Sequence, residues 1–207
     1  MRTPSLASLA LLLAACSGIV SAASPGPANP NPAAVTAGSY TVEPSHTRVQ
    51  FSVSHMGFTD WYGDMTGASG TLVLNTPNIA ASAVDISLPA ASVSTTNAKL
   101  DDELRSAQWF DAARYPTVRF VSTQVVQTGP ATAMITGNLT FHGVTKPVTL
   151  QARFNGAGVN PLDKNYTVGF SATTTIQRSD FGVSTYVPLI GDTTELRISA
   201  AFVRPTH

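Results

Sequence analysis

Gly137–Leu150, GNLTFHGVTKPVTL, is the stretch that decides the fold. Leu139 and Phe141 alternate with Thr140 and His142, Gly143 breaks the run, and beyond Lys146 and Pro147 the alternation resumes at Val148 and Leu150. Alternation with a period of two residues marks a strand with one apolar face. A helix through the same stretch would be broken at Gly143 and Pro147. The stretch reads as a hairpin that closes a curved antiparallel sheet, and the chain around it as an all-β barrel or sandwich with a well-supplied apolar interior.

Upstream of the hairpin, Val49, Phe51 and Val53 share one face of a strand and His55 falls in phase with them. A turn at Met56-Gly57 leads to Trp61 and Met65 on either side of Gly63, where the missing side chain marks a bend or a close approach. Leu72 and Leu74 make a further strand, and Val84, Ile86 and Leu88 another. Leu100, Leu104, Ala107 and Phe110 then have helical spacing, with Asp101, Asp102 and Glu103 early and Arg105 late, as one or two short helical turns require. Trp109 and Phe110 are adjacent and cannot face the same way on a regular helix, so they are expected to plug or shelter one barrel end. Strands resume at Val118 and Phe120, continue through Val126, and return from Ala133 to Phe141. The second arm of the hairpin runs to Phe154, and Asn155 to Asn165 reads as a loop, with Gly156, Gly158 and Pro161 as breakers. Tyr166, Val168 and Phe170 alternate, and Leu196, Ile198, Ala200 and Phe202 close the chain. The fold class is therefore an all-β antiparallel barrel of about eight strands with a short helical insertion. Eight strands enclose an interior that either fills with its own side chains or holds one small ligand. Gly63, Ala133, Gly137, Ala172 and Ala200 leave room inside if they share the inward face.

The 207 residues carry 12 Lys and Arg against 12 Asp and Glu. No clustered positive charge is present to meet a phosphate backbone, so a nucleic-acid partner is excluded. Residues 1–22 read as an export signal: Arg2, an apolar run from Leu6 to Ala15 too short to span a membrane, and small residues before Ala23. Leu13-Ala14-Ala15-Cys16 also resembles a bacterial lipoprotein signal, in which Cys16 would be lipidated and anchor the protein to the outer membrane. The soluble form, periplasmic or secreted, is the expectation adopted. Neither form leaves a cysteine for a disulfide. Residues 23–39, rich in Pro, Ala, Asn and Gly, read as a disordered linker, and residues 40–207 as one domain.

Four stretches together resemble the YceI-like family of periplasmic and secreted polyisoprenoid-binding proteins with a lipocalin-like barrel. They are YTVEPSHTRVQFSVSHMGF from Tyr40, LDDELRSAQWFDAARYPTVRF from Leu100, GNLTFHGVTKPVTL from Gly137 and IQRSDFGV from Ile176. The resemblance implies a tunnel that holds an extended prenyl or acyl chain without acting on it chemically. The implied cargo is an isoprenoid quinone, a polyprenyl lipid or a fatty-acid-like amphiphile, bound as ligand with no further cofactor required. A transient contact with a membrane redox or lipid-handling protein goes with that role, the barrel being a monomer or a homodimer. Three positions depart from the family pattern: Glu103 stands where a histidine is usual, Ala200 and Ala201 where acidic residues are common, and Trp61 where a valine is frequent.

The ligand-contacting residues expected are Phe51, Val53, Phe58, Phe120, Leu139, Phe141, Phe170 and Phe181 along the tunnel. Trp61, Trp109 and Phe110 are expected at the wall or lid, and His55, Glu103 and Arg178 as polar groups at the mouth. His46, His55, His142 and His207 show no metal-ligand spacing, so no metal site is expected. Ser45, His46, His142 and Asp180 supply the residue types of an acyl-transfer triad, which keeps a hydrolase as a rival. There is no G-x-S-x-G elbow, and turn caps at Ser45 and Asp180 with backbone partners for His46 and His142 account for these residues better. A second rival is a solid barrel acting through the 155–165 loop as an interaction module. Arg178 is expected to pair with Asp180, and Arg105 with Asp101 one turn earlier.

Overall fold

In the computed structural model, which describes residues 26–204, the 137–150 stretch is the hairpin its alternation predicts. The chain runs through β1 (Gly38–Val42), β2 (Arg48–His55), β3 (Thr59–Met65), β4 (Ser69–Leu74) and β5 (Ala83–Pro89). A helix, α1 (Ala98–Arg105), precedes β6 (Thr117–Gly129), β7 (Thr132–Phe141), β8 (Val144–Val159), β9 (Tyr166–Gln177) and β10 (Ile190–Arg204). Strands β7 and β8 meet at a two-residue turn, His142-Gly143, with φ of +50° and +74°. Both central positions of a type I′ turn need positive φ, and Gly143 supplies one without steric cost. Lys146 and Pro147 belong to β8 rather than to the connection, with Pro147 opposite Asn138.

Ten strand segments close into a ring of eight. Strands β1 and β2 lie end to end along β10, Val42 opposite Phe202 and Arg48 opposite Ser199. Strands β3 and β4 follow them as a second bent strand, Met65 opposite Val49 and Leu74 opposite Gly38. From β4 the pairing runs antiparallel through β5, β6, β7, β8, β9 and β10, and β10 returns to β1. The result is an all-β closed barrel of eight antiparallel strands with one helical insertion, and closure removes the edges that an open sheet exposes. The free edge of β3 is covered by the insertion between β5 and β6, where Asp64 and Ser94 exchange backbone hydrogen bonds of 2.8 and 2.9 Å.

The helix is shorter than the apolar spacing predicts. Asn97 caps α1 by accepting from the Leu100 amide, and the helix ends at Ser106, so Ala107 to Phe110 lie on turns. Trp109 and Phe110 thereby both face inward, which one regular helix would not allow. Strand β8 continues to Val159, past the expected end at Phe154, through a bulge between Phe154 and Gly156. The second half of the expected linker is also built into the barrel. Asn29 exchanges backbone hydrogen bonds with Ala157, Pro32–Ala34 form a 3-10 turn, Val35 is buried, and β1 starts at Gly38. The export signal, Cys16 and His207 lie outside the described residues.

Two of the small residues expected to leave room are occupied. A Cβ at Gly63 would stand 2.3 Å from Cζ of Phe51, and one at Gly137 would stand 2.4 Å from Cζ of Phe120. Each glycine is the seat of a phenyl ring from the neighbouring strand, a cross-strand arrangement that lets an aromatic ring lie flat on the sheet. Gly137 is the less forgiving of the two, because its Cβ would also meet the carbonyl oxygen of Val121 at 2.5 Å. Gly137→Ala is expected to lower the unfolding free energy by about 1–3 kcal/mol, the usual cost of overpacking. Urea denaturation checks this, and an unchanged midpoint would contradict it.

Candidate ligand-binding site

The alternation that builds the strands also builds the site, since every second residue points into the barrel. Between a core at the β1 end, with Tyr40, Leu72, Leu74 and Phe202, and one at the helical end, with Leu104, Trp109, Phe141 and Phe181, lies a cavity of about 260 Å³. Strand β2 contributes Val49, Phe51 and Val53; β5 contributes Val84, Ile86 and Leu88; β7 contributes Ile135, Leu139 and Phe141. Strands β8 to β10 supply Val148, Leu150, Phe170, Ala172, Ile176, Leu196 and Ile198. Many of these side chains are only half-buried although they face inward, because they border open space rather than one another.

Polar side chains on this wall are turned away from it. The hydroxyl of Thr47 donates to the Glu43 carbonyl at 2.7 Å, and that of Thr174 to the Thr149 carbonyl at 2.9 Å. Ser171 donates to Asn155 Oδ1 at 3.0 Å, and Thr194 to the Asp192 carbonyl at 3.4 Å. Arg178 is buried and donates to four carbonyls, Nε to Gly191, Nη1 to Val183, and Nη2 to Thr185 and Ile190, each at 2.9 Å. The guanidinium also lies 5.2 Å from the Trp109 ring centroid. Burial draws its pKa down from the ordinary arginine value, and the negative charge of Asp192 works against that. Arg178 thus ties the 183–191 segment to the barrel end. Asp180, its expected partner, is exposed. Arg105 likewise pairs with Asp102, at 3.0 Å, rather than with Asp101, and donates to the carbonyls of Ala91 and Val93.

Of the residues expected to touch a ligand, Phe51, Val53, Trp109, Phe110, Phe120, Leu139, Phe141, Phe170 and Arg178 border the cavity. Phe110 meets Phe141 edge-on, with centroids 5.1 Å apart, and Phe51 at 6.5 Å, so the lid rings interlock with the tunnel rings. Phe181 packs behind Phe141, at 5.9 Å, and does not reach the lumen. Phe58 is 83% exposed at the tip of the β2–β3 hairpin, so it lines nothing. His55 and Trp61 face each other at 5.9 Å beyond the cavity. Glu103 is exposed and accepts from Trp109 Nε1 at 3.3 Å, orienting the lid ring rather than a head group. Met65, Leu72, Ile86, Ile135, Ile176, Leu196 and Ile198 border the cavity as well, beyond the expected set, and the period-two pattern that marks their strands carries the signal for them.

The triad residues are dispersed. Glu43 caps the 3-10 turn Pro44–His46 by accepting from the amides of Ser45 and His46, and its carboxylate meets His46 Nδ1 at 2.5 Å. This group sits beside Ala201, whereas His142 Nδ1 donates to the Phe181 carbonyl at 3.0 Å near the far end of β10. About nine residues of β10, on the order of 30 Å, lie between them. No group of three or more His, Cys, Asp or Glu able to hold a metal exists among the described residues.

Two carboxylates brace the helical end and set its acid sensitivity. The Thr95 hydroxyl and amide donate to Asp101 at 2.7 and 2.6 Å, holding its carboxyl below the ordinary aspartate range despite burial. At Asp192, burial pushes the carboxyl up, but the Ser179 hydroxyl and amide, at 2.6 and 2.8 Å, with the Arg178 charge, bring it below that range. A lowered folded pKa gives stability that is present above the unfolded value, about 3.9, and is lost as pH falls through the folded one. Denaturation midpoints are therefore expected to hold down to about pH 4 and to drop below it, with a shallower drop in Asp192→Asn. A midpoint that rises or stays level on acidification would contradict this.

The barrel and its apolar lumen define a class: a binding protein for an apolar molecule. The chain belongs to the family described as the YceI-like domain, whose model matches residues 40–202. It is 40% identical over 141 residues to a UPF0312 protein of Pseudomonas savastanoi pv. phaseolicola, covering 68% of this chain and 73% of that protein. Among solved structures it resembles Burkholderia cenocepacia BcnA, with a TM-score of 0.70 and 22% identity over 77% of this chain and 98% of that one. It also resembles a polyisoprenoid binding domain from Saccharophagus degradans implicated in plant cell wall breakdown, with a TM-score of 0.60 and 13% identity over 80% and 98% of the two chains.

Proposed function

We propose that this protein binds and carries one long-chain apolar molecule, such as an isoprenoid quinone, a polyprenyl lipid or a fatty-acid-like amphiphile, and leaves it chemically unchanged. The observation that carries the reading is the wall: an apolar lumen in which Thr47, Ser171, Thr174, Arg178 and Thr194 all spend their hydrogen bonds on protein. A ligand there gains from burial, roughly 0.8 kcal/mol for each methylene, and meets no polar group waiting for a partner. At roughly 30 Å³ per water-sized group, the cavity takes on the order of ten groups of methylene size. A polyisoprenoid, the ligand named for the Saccharophagus degradans domain, is of that shape and chemistry.

The export-signal pattern of residues 1–22 supports a site of action in the periplasm or outside the cell, in soluble form. The mass of the mature chain tests that part, because a chain lipidated at Cys16 keeps residues 16–22 and carries acyl groups, and so is heavier than a chain that starts at Ala23. Titration with a series of saturated and prenyl chains tests the binding. Affinity is expected to climb by about fourfold per added methylene until the lumen is full. Affinity that ignores chain length would contradict the reading.

A further inference from the structure

Beyond the main cavity lies a second one of about 110 Å³. Leu72, Val84, Ile135, Ala152 and Phe170 border both, so a wall one side chain thick, and wholly apolar, separates them. Phe170 is held there by edge-on contacts to Phe154 and Phe202, with centroids 5.8 and 6.1 Å away. The far side of the second cavity is closed by Pro32 and Val35, on a strap that precedes the family-matched residues 40–202.

This strap is built into the barrel rather than laid across it. Asn29 and Ala157 exchange backbone hydrogen bonds of 2.8 and 3.0 Å, and the Thr36 amide donates to Tyr166 Oη at 3.3 Å. Two glycines on β8 admit it: a Cβ at Gly156 would stand 3.0 Å from that of Ala28, and one at Gly158 would stand 2.9 Å from the Pro27 carbonyl oxygen. Of the second cavity's polar neighbours, Ser82 accepts from the Asn75 amide, Gln127 donates to the Gly129 carbonyl and Thr132 accepts from the Thr128 hydroxyl.

We propose that the two cavities are one binding site for a single long chain, whose distal end occupies the second chamber, and that Pro32 and Val35 form the stop that sets the longest chain accepted. The inference rests on the carrier reading above. A chain that displaces the partition side chains exchanges one set of apolar contacts for another, and each methylene it then buries beyond the partition raises affinity by about fourfold.

Ala133 and Val35 border the second chamber and not the first, so Ala133→Phe and Val35→Phe fill it from the barrel wall and from the strap respectively. Decanoate and docosanoate binding to the mature protein and to each variant, read by native mass spectrometry, separates the chambers. Decanoate affinity is expected to stay within about twofold of wild type, while docosanoate affinity falls by about tenfold or more. Val35→Phe changes only the strap and keeps the test intact if Ala133→Phe does not fold. Decanoate uptake with docosanoate indifferent to the substitutions overturns the two-chamber site alone. Failure of the wild-type protein to take up either chain overturns the carrier reading, and this inference with it.

Discussion

Arg178→Ala is expected to lower the unfolding free energy by about 3–5 kcal/mol, a large share of the 5–15 kcal/mol that holds a domain of ordinary stability. The substitution removes the donor for four carbonyls, those of Val183, Thr185, Ile190 and Gly191, and leaves buried acceptors without partners. It also removes the cation from above Trp109, so the lid ring loses a cation–π contact. Arg178→Lys recovers little, because an ammonium on a flexible stem cannot reproduce a planar fork aimed at four oxygens. Urea denaturation of both variants reads this directly. A loss below about 1 kcal/mol for the alanine variant would mean that the 183–191 segment is held by something other than this guanidinium.

Ala172→Phe is the counterpart that spares the fold and removes the function. Ala172 sits opposite Ala152 on β8 and Ile198 on β10, with its side chain on the wall of the main cavity. A phenyl ring there takes the space that several methylenes of cargo would fill. Losing the burial of three to four methylenes weakens binding by about 100-fold. The same ring adds apolar contacts inside the barrel, so the empty variant is expected to unfold at a urea concentration no lower than the empty wild-type protein. A variant that folds and binds long chains with wild-type affinity would place the cargo outside the lumen.

How much of this was legible in the sequence follows from the range over which each cause acts. Alternation is local, so Phe51 and Val53, Leu139 and Phe141, and Val168 and Phe170 declared their inward face without help from the rest of the chain. Glycine is ambiguous in the same local view. Gly63 and Gly137 read as open space, and only the neighbouring strand shows that Phe51 and Phe120 occupy it. Gly156 and Gly158 read as loop breakers, whereas they lie within β8 and make room for a strap more than a hundred residues earlier in the chain. That strap in turn has the composition of a linker, and its order comes from Val35 and Asn29 finding places on a barrel that the segment itself does not encode. His55 falls in phase with the inner face but lies past the end of the lumen, a distinction that periodicity does not carry. Arg178 reads from its spacing as a partner of Asp180 or a mouth residue, yet its partners are backbone carbonyls, which no side-chain pattern announces.

The central claim is that the lumen carries cargo, and the protein isolated from the cells that produce it tests it most directly. Native mass spectrometry is expected to show a mass above that of the mature chain by one long-chain apolar molecule, which denaturing extraction releases unchanged and which Ala172→Phe fails to retain. A native protein at the bare chain mass, which also takes up no prenyl or acyl chain on titration, would contradict the account.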